Sequence, residues 1–192
     1  MKTSGRLLLG ALLVGGCSAA GAHTGHGAQG MLAGLAHPFG LDHLLAMVAV
    51  GVWSAVTFPT GRRAIGPATF MLGLLLGAAM AAAGLAWSMV DLGVAASVVL
   101  FGAMLAAPRA LPWPVGVAMV GVAALLHGLA HGAELPPGAS FVGYAAGFLA
   151  TTAMLHGAGI RAGRVMARAH AWVWQATGAA LGATGLLLMA QT

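Results

Sequence analysis

Charged residues, and acidic residues above all, are scarce in this chain. Its 192 residues include three acidic side chains, and 6% of the residues are charged whereas 60% are hydrophobic. A soluble domain carries about 25% charged residues, because its surface has to be hydrated. The composition therefore excludes a soluble globular protein of this size and predicts an integral membrane protein.

Several catalytic and binding motifs are also missing. The single cysteine, Cys17, excludes an intramolecular disulfide and a cysteine-based zinc or iron–sulfur site. The sequence has no Walker loop, no GxSxG and no HExxH, so we predict that the protein is not an enzyme and has no resident cofactor. The formal net charge of +5 is scattered along the chain, which argues against a nucleic-acid partner.

The first 22 residues have the layout of a secretory signal peptide. Two basic residues precede the apolar run LLLGALLVGG, and Ala20-Gly21-Ala22 fits a small-residue cleavage site. The run is shorter than the roughly 20 residues of a membrane span. We therefore predict a signal peptide at 1–22 and a mature domain at 23–192. A lipoprotein-type cut before Cys17 and an uncleaved first helix are the alternatives.

Six apolar segments follow at regular spacing, which predicts an all-α polytopic membrane protein with six transmembrane helices. They lie near residues 38–57, 66–87, 90–107, 113–132, 139–160 and 169–190. All mature arginines fall in alternate connections, at Arg62, Arg63, Arg109, Arg161, Arg164 and Arg168. The positive-inside rule makes that side cytoplasmic, and the mature N-terminus is then periplasmic.

Two clusters of polar residues stand inside these apolar segments, where a charge costs about 2.5–3.5 kcal/mol. The first is His37, Asp42 and His43, in LAHPFGLDHLLAM. On an unbroken helix His37 and His43 would point about 120° apart. A break at Pro38 would bring them together, because proline disfavours helix at the preceding residue.

The second cluster is His127, His131 and Glu134, in LLHGLAHGAE. Spacings of four and seven put all three on one helical face. The predicted directions of the first and fourth spans bring both clusters to the outer end of the membrane. We therefore predict a nitrogen and oxygen site for nickel, cobalt, copper or zinc between these spans. The alternative is that the histidines only bond neighbouring helices, or orient a ligand without binding the metal.

Three further histidines are candidates for the entrance or exit of an ion. Cleavage after Ala22 would make His23 the first residue, and its amine and imidazole, with His26 nearby, could chelate a metal. His156 falls near the cytoplasmic end of the fifth span. It is interpreted either as an exit-side relay or as a packing histidine bonded to Thr152.

Three segments carry a family resemblance: GLDHLLAMVAVGVW, HGLAHGAE and YAAGFLATTAMLHGAG. Together they resemble the HupE/UreJ family of nickel permeases, which accompany hydrogenase and urease systems. The resemblance implies six spans, a removable signal and uptake of nickel or cobalt across the bacterial inner membrane. It also implies delivery of the ion to hydrogenase or urease maturation. Both polar clusters belong to the part of the chain that resembles the family. Two departures are the four-residue gap PFGL, where the family has five residues, and Leu126, where the family has phenylalanine.

Other functions remain open at this level. A bis-histidine haem protein that carries electrons would use paired histidines, although Asp42 and Glu134 would suit the iron poorly. A membrane metal sensor or chaperone would use the same ligands without transport. A membrane hydrolase with a metal-activated water is the third alternative.

Overall fold

A computed structural model describes residues 26–192, with side chains from residue 30 onward. The predicted signal peptide, its cleavage site and His23 lie outside the described residues. His26 begins the first helix, but its side chain also lies outside them.

Seven α-helices make up the described part of the chain, and residues 26–192 contain no β-strand. The helices are α1 (His26–Ala36), α2 (Leu41–Thr57), α3 (Ile65–Ala82), α4 (Val90–Ala106), α5 (Trp113–Ala133), α6 (Phe141–Met166) and α7 (Ala171–Met189). Short 3-10 turns at His37–Phe39 and Thr60–Arg62 precede α2 and α3. The all-α prediction is confirmed, and each of the six apolar segments forms a helix. The sequence did not predict α1 as a helix of its own.

Two helical segments are long and apolar enough to cross a membrane, Thr60–Ala82 and Trp113–Ala133. A third crossing results if the bent pair Gly30–Phe39 and Leu41–Thr57 is one broken span. Val90–Ala106 is apolar but shorter. These helices are consistent with a membrane protein, whereas crossing by all six remains a prediction.

Proline and glycine set the helix boundaries. Pro112 and Pro114 open α5, where the first turn has no need of their missing N–H groups. Gly84 ends α3 with φ of +99°, a conformation that glycine adopts without a steric penalty. The N–H of Gly84 bonds the carbonyl of Ala81, and that of Leu85 bonds the carbonyl of Met80. This is the Schellman pattern, which satisfies the last carbonyls of the helix.

Small residues let the helices approach closely. A Cβ at Gly77 would collide with the carbonyl of Leu125 on α5, and a Cβ at Gly128 with the carbonyl of Leu74 on α3. Glycine therefore allows the two helix backbones to come into direct contact at these positions. The contact fixes α5 against α3, and it sets the depth of the histidines on α5.

A second close contact joins α2 to α6. A Cβ at Gly51 would collide with the carbonyl of His156, and a Cβ at Gly159 with the carbonyl of Val48. The buried core receives side chains from all the helices from α2 to α7, and it includes Met47, Phe70, Val120 and Phe148. The polar clusters lie at one end of this core.

Candidate metal centre

A break in the chain brings His37 and His43 together. His37, Pro38 and Phe39 form the 3-10 turn, and Gly40 is extended, with φ −52° and ψ 139°. The helical segments on either side are bent by 74°. The two imidazole centroids lie 5.3 Å apart as a result. The predicted break at Pro38 thus occurs, and it turns both side chains to one side.

Helix α5 presents His127 and His131 to the same place. They are four residues apart, on one face of the helix, and both are fully buried. The ring of His131 lies 4.1 Å from that of His37 and 4.6 Å from that of His43, measured between centroids. The two predicted clusters therefore meet.

Three of these side chains can share one ion. One ligand atom from each of His37, His43 and His131 lies within 4.8 Å of the other two. Two nitrogens bound to one ion at about 2.0–2.1 Å lie about 2.9 Å apart when their bonds meet at 90° and about 3.3 Å apart at the tetrahedral angle. Side-chain adjustments of about 1 Å would therefore close the site.

Hydrogen bonds hold the same ring nitrogen in all three histidines. Nδ1 of His37 lies 2.9 Å from Oε2 of Glu134, and Nδ1 of His43 lies 2.8 Å from Oδ1 of Asp42. Nδ1 of His131 lies 2.8 Å from the carbonyl oxygen of His127. An ionised carboxylate or a carbonyl only accepts, so each Nδ1 carries the proton and donates it.

The opposite nitrogens of these rings are left for a ligand. Nε2 of His37, His43 and His131 is buried and has no hydrogen-bond partner among the described residues. With Nδ1 protonated, each neutral imidazole has its lone pair on Nε2. Metal-binding histidines are usually held in this way, with the outer N–H bonded to a carboxylate or a carbonyl.

His127 is held differently. The Ser97 hydroxyl donates to the carbonyl of Val94 at 2.6 Å, so it accepts from Nε2–H of His127 at 2.8 Å. Nδ1 of His127 then carries the lone pair, and it is buried without a hydrogen-bond partner in the part of the chain that the structure describes. Its ring lies 4.6 Å from that of His43. This fourth imidazole adjoins that of His43, and its unbonded nitrogen is Nδ1 instead of Nε2.

The charges around the centre favour a cation. Asp42 and Glu134, when ionised, place two negative charges beside neutral imidazoles. Burial raises the pKa of the Glu134 carboxyl above its ordinary value, and nearby His43 opposes that shift. His131 also lies in the last turn of α5, where the helix dipole is negative and stabilises positive charge.

Comparison with known proteins identifies the family. The sequence model of the HupE / UreJ protein family matches residues 11–188. The chain belongs to the HupE/UreJ family. Protein HupE of Rhizobium leguminosarum bv. viciae is 42% identical over 175 residues, which cover 85% of this chain and 90% of the relative. No solved structure matches the chain.

In this HupE/UreJ protein the six candidate ligands from the sequence lie together but differ in position. His37, His43 and His131 direct one nitrogen each to a common space, and His127 adjoins them. Asp42 and Glu134 contact Nδ1 of His43 and His37, and neither belongs to the group of mutually close ligand atoms in the described chain. Their positions suit them to orient the histidines and to place negative charge beside them.

His156 lies apart from this group, level with Met47 and about one turn beyond His43 on α2. The expectation that it lies near the far end of its span is wrong, because α6 continues to Met166. Its Nδ1 donates to the carbonyl of Met47 at 2.7 Å, and its ring lies 5.2 Å from Phe70. The hypothesis that Thr152 is its partner is wrong, because the close contact of α6 with α2 puts the Met47 carbonyl beside the ring. Thr152 Oγ1 has no hydrogen-bond partner among residues 30–192.

Sequence reasoning missed the residues that enclose the centre. Phe70 lies 5.4 Å from His127, Phe148 lies 4.9 Å from His131, and Tyr144 lies 6.2 Å from His37, all between ring centroids. Ser97, the partner of His127, was also missed. The only sequence signal for Ser97 is a hydroxyl inside the apolar run GVAASVVL.

Proposed function

We propose that this protein carries a divalent transition-metal ion, nickel or cobalt, across the bacterial inner membrane into the cytoplasm. The observation that carries the proposal is the convergence of one ring nitrogen each from His37, His43 and His131. Their Nδ1 atoms are held by hydrogen bonds, and their Nε2 atoms have no hydrogen-bond partner in the described chain. Membership of the HupE/UreJ family, which is associated with nickel and cobalt transport, supports the same conclusion.

The donor set fits ions of intermediate softness. Imidazole nitrogen suits nickel, cobalt, copper and zinc, whereas soft copper(I) prefers thiolate or thioether ligands. Two carboxylates beside the imidazoles balance the charge of a divalent ion. Three protein ligands leave coordination positions for water, so the ion enters the centre partly hydrated.

The direction of transport follows from the charge pattern of the connections. The arginines in alternate connections support a cytoplasmic location for that side, and therefore a location of the histidine centre near the periplasmic face. A membrane potential of 100 mV, negative inside, then favours entry of a +2 ion by about 4.6 kcal/mol, at roughly 2.3 kcal/mol per charge. Six crossings, a cleaved signal peptide and a periplasmic mature N-terminus belong to this proposal.

The packing of the imidazoles argues against the haem alternative. Ring centroids of 4.1–5.3 Å between His37, His43 and His131 put the rings in direct contact. Two axial imidazoles on one iron are separated by the porphyrin plane, with about 2 Å between each nitrogen and the metal on either side. A macrocycle does not fit between rings that already touch.

Metal uptake into cells or proteoliposomes tests the proposal. We expect the wild type to accumulate Ni²⁺ or Co²⁺. In His43→Ala and His131→Ala the initial uptake rate should fall by about tenfold or more. His170→Ala, which changes an exposed histidine before α7, is the matched control and should transport normally. Unchanged uptake in both centre variants would contradict the proposal. Metal binding by a wild type that does not transport would instead favour the sensor or chaperone alternative.

A further inference from the structure

A second set of polar atoms lies one helical turn deeper than the centre. His127 is one turn before His131 on α5, and His156 bonds the carbonyl of Met47, one turn beyond His43 on α2. His127, Thr152 and His156 are 0%, 0% and 1% exposed. Within the described chain His127 Nδ1, Thr152 Oγ1 and His156 Nε2 have no hydrogen-bond partner. Each such burial costs about 1–3 kcal/mol, so three together are an expensive feature in a core of this size.

The orientation of His156 is fixed. Its Nδ1 donates to the Met47 carbonyl, so the lone pair of the neutral ring is on Nε2. Gly51 and Gly159 hold the backbones of α2 and α6 in contact next to this bond, within about one turn further along each helix. Thr152 lies one turn earlier on α6, and therefore on the same face as His156. Helix α6 thus presents a hydroxyl and an imidazole nitrogen together.

Phe70 connects this pair with the outer centre. Its ring is fully buried, and it lies 5.4 Å from the ring of His127 and 5.2 Å from that of His156. Phe70 thus contacts an imidazole that adjoins the outer centre and an imidazole that lies beyond it.

We propose that His156 Nε2 and Thr152 Oγ1 form a second, transient site for the divalent metal ion on the far side of Phe70. This inference rests on the proposed transport function and adds an inward step to it. Two protein ligands leave most of the coordination shell to water, so the second site binds the ion more weakly than three histidines do. Weak binding suits an exit step, because conduction requires sites that release the ion as readily as they take it.

The variant His156→Asn tests the second site directly. The asparagine amide can still donate to the Met47 carbonyl, but it has no atom in the position of Nε2. We expect equilibrium affinity for Ni²⁺ or Co²⁺ within about threefold of wild type, since the two sites share no ligand. We expect the initial uptake rate into proteoliposomes to fall by about tenfold or more. His170→Asn, the same change at an exposed histidine, is the control and should match the wild type.

Thr152→Val provides a second test that does not depend on His156. This change removes a hydroxyl that makes no hydrogen bond to the described chain and keeps the shape of the side chain, so the fold should be retained. We expect unchanged equilibrium affinity and a several-fold slower uptake. If His156→Asn does not yield a monodisperse protein, Thr152→Val alone decides the question.

The outcomes separate this site from the transport function itself. Wild-type uptake rates in the folded variants would overturn the second site and leave the proposed function standing. Parallel loss of affinity and uptake in His156→Asn would also overturn it, because His156 would then belong to the outer centre. Absence of uptake by the wild type would refute the proposed function, and the second site with it.

Discussion

Replacing His131 with asparagine should weaken metal binding more than any change to the surrounding carboxylates. The asparagine amide can still donate to the His127 carbonyl, as Nδ1 does now at 2.8 Å. The change therefore removes Nε2, the buried ring nitrogen that has no hydrogen-bond partner in the described chain, and little else. His131→Asn is in this respect a more specific change than His131→Ala.

The expected magnitude follows from the two kinds of contact at the centre. Loss of a residue that orients a metal ligand typically lowers affinity 10- to 100-fold. Asp42→Asn belongs to this class, because asparagine still accepts from His43 Nδ1 but lacks the charge. Loss of the ligand itself should cost at least the upper end of that range, about 100-fold, or roughly 2.8 kcal/mol at 1.4 kcal/mol per tenfold change.

Equilibrium titration of the purified protein with Ni²⁺ or Co²⁺ measures this order. The predicted sequence of affinities is wild type, then Asp42→Asn, then His131→Asn, with His170→Asn equal to the wild type. Affinity of His131→Asn within about threefold of wild type would refute the three-histidine centre. So would a larger loss in Asp42→Asn than in His131→Asn, since the carboxylate would then be the stronger ligand.

Three further predictions concern packing, the buried hydroxyl and pH. Gly128→Ala should destabilise the protein by about 1–3 kcal/mol, because the methyl group of the alanine would overlap the α3 backbone. Thermal melting should show no loss of stability in the control Gly157→Ala, where a Cβ meets nothing within 4 Å. Ser97→Ala should also lower the melting temperature, because it leaves the His127 N–H unbonded at a cost of about 1–3 kcal/mol. Thr184→Val, which removes an exposed hydroxyl, serves as the control. An unchanged melting temperature for Ser97→Ala would contradict the assigned hydrogen bond. Metal affinity should fall with falling pH, because protons compete for the imidazole lone pairs, by up to about tenfold per pH unit for each histidine that titrates; a pH-independent affinity would argue against imidazole ligands.

The contents of the centre could be predicted where they depend on spacing along one helix. His127 and His131 face the same side of α5 because they are four residues apart, a consequence of helix geometry alone. The pairing of His37 with His43 required a break, and Pro38 predicted one. Composition predicted a membrane protein, and the six apolar segments predicted its helices.

Contacts between helices could not be predicted from the sequence in the same way. The partner of His156 is a backbone carbonyl of Met47 on another helix, and the contact depends on Gly51 and Gly159 meeting face to face. Glycine is so frequent in this chain that its sequence positions do not indicate which pairs meet. Phe70 was missed for a similar reason, because an aromatic residue in an apolar helix has no spacing pattern that distinguishes a wall of the site from the core.

X-ray absorption spectroscopy of bound nickel tests the central claim most directly, since it counts the imidazoles on the ion. The three-histidine centre predicts about three histidine nitrogens at about 2.0–2.1 Å in the wild type and about two in His131→Asn. Identical spectra for the two proteins, or a wild-type shell of oxygen ligands without imidazole scattering, would contradict it.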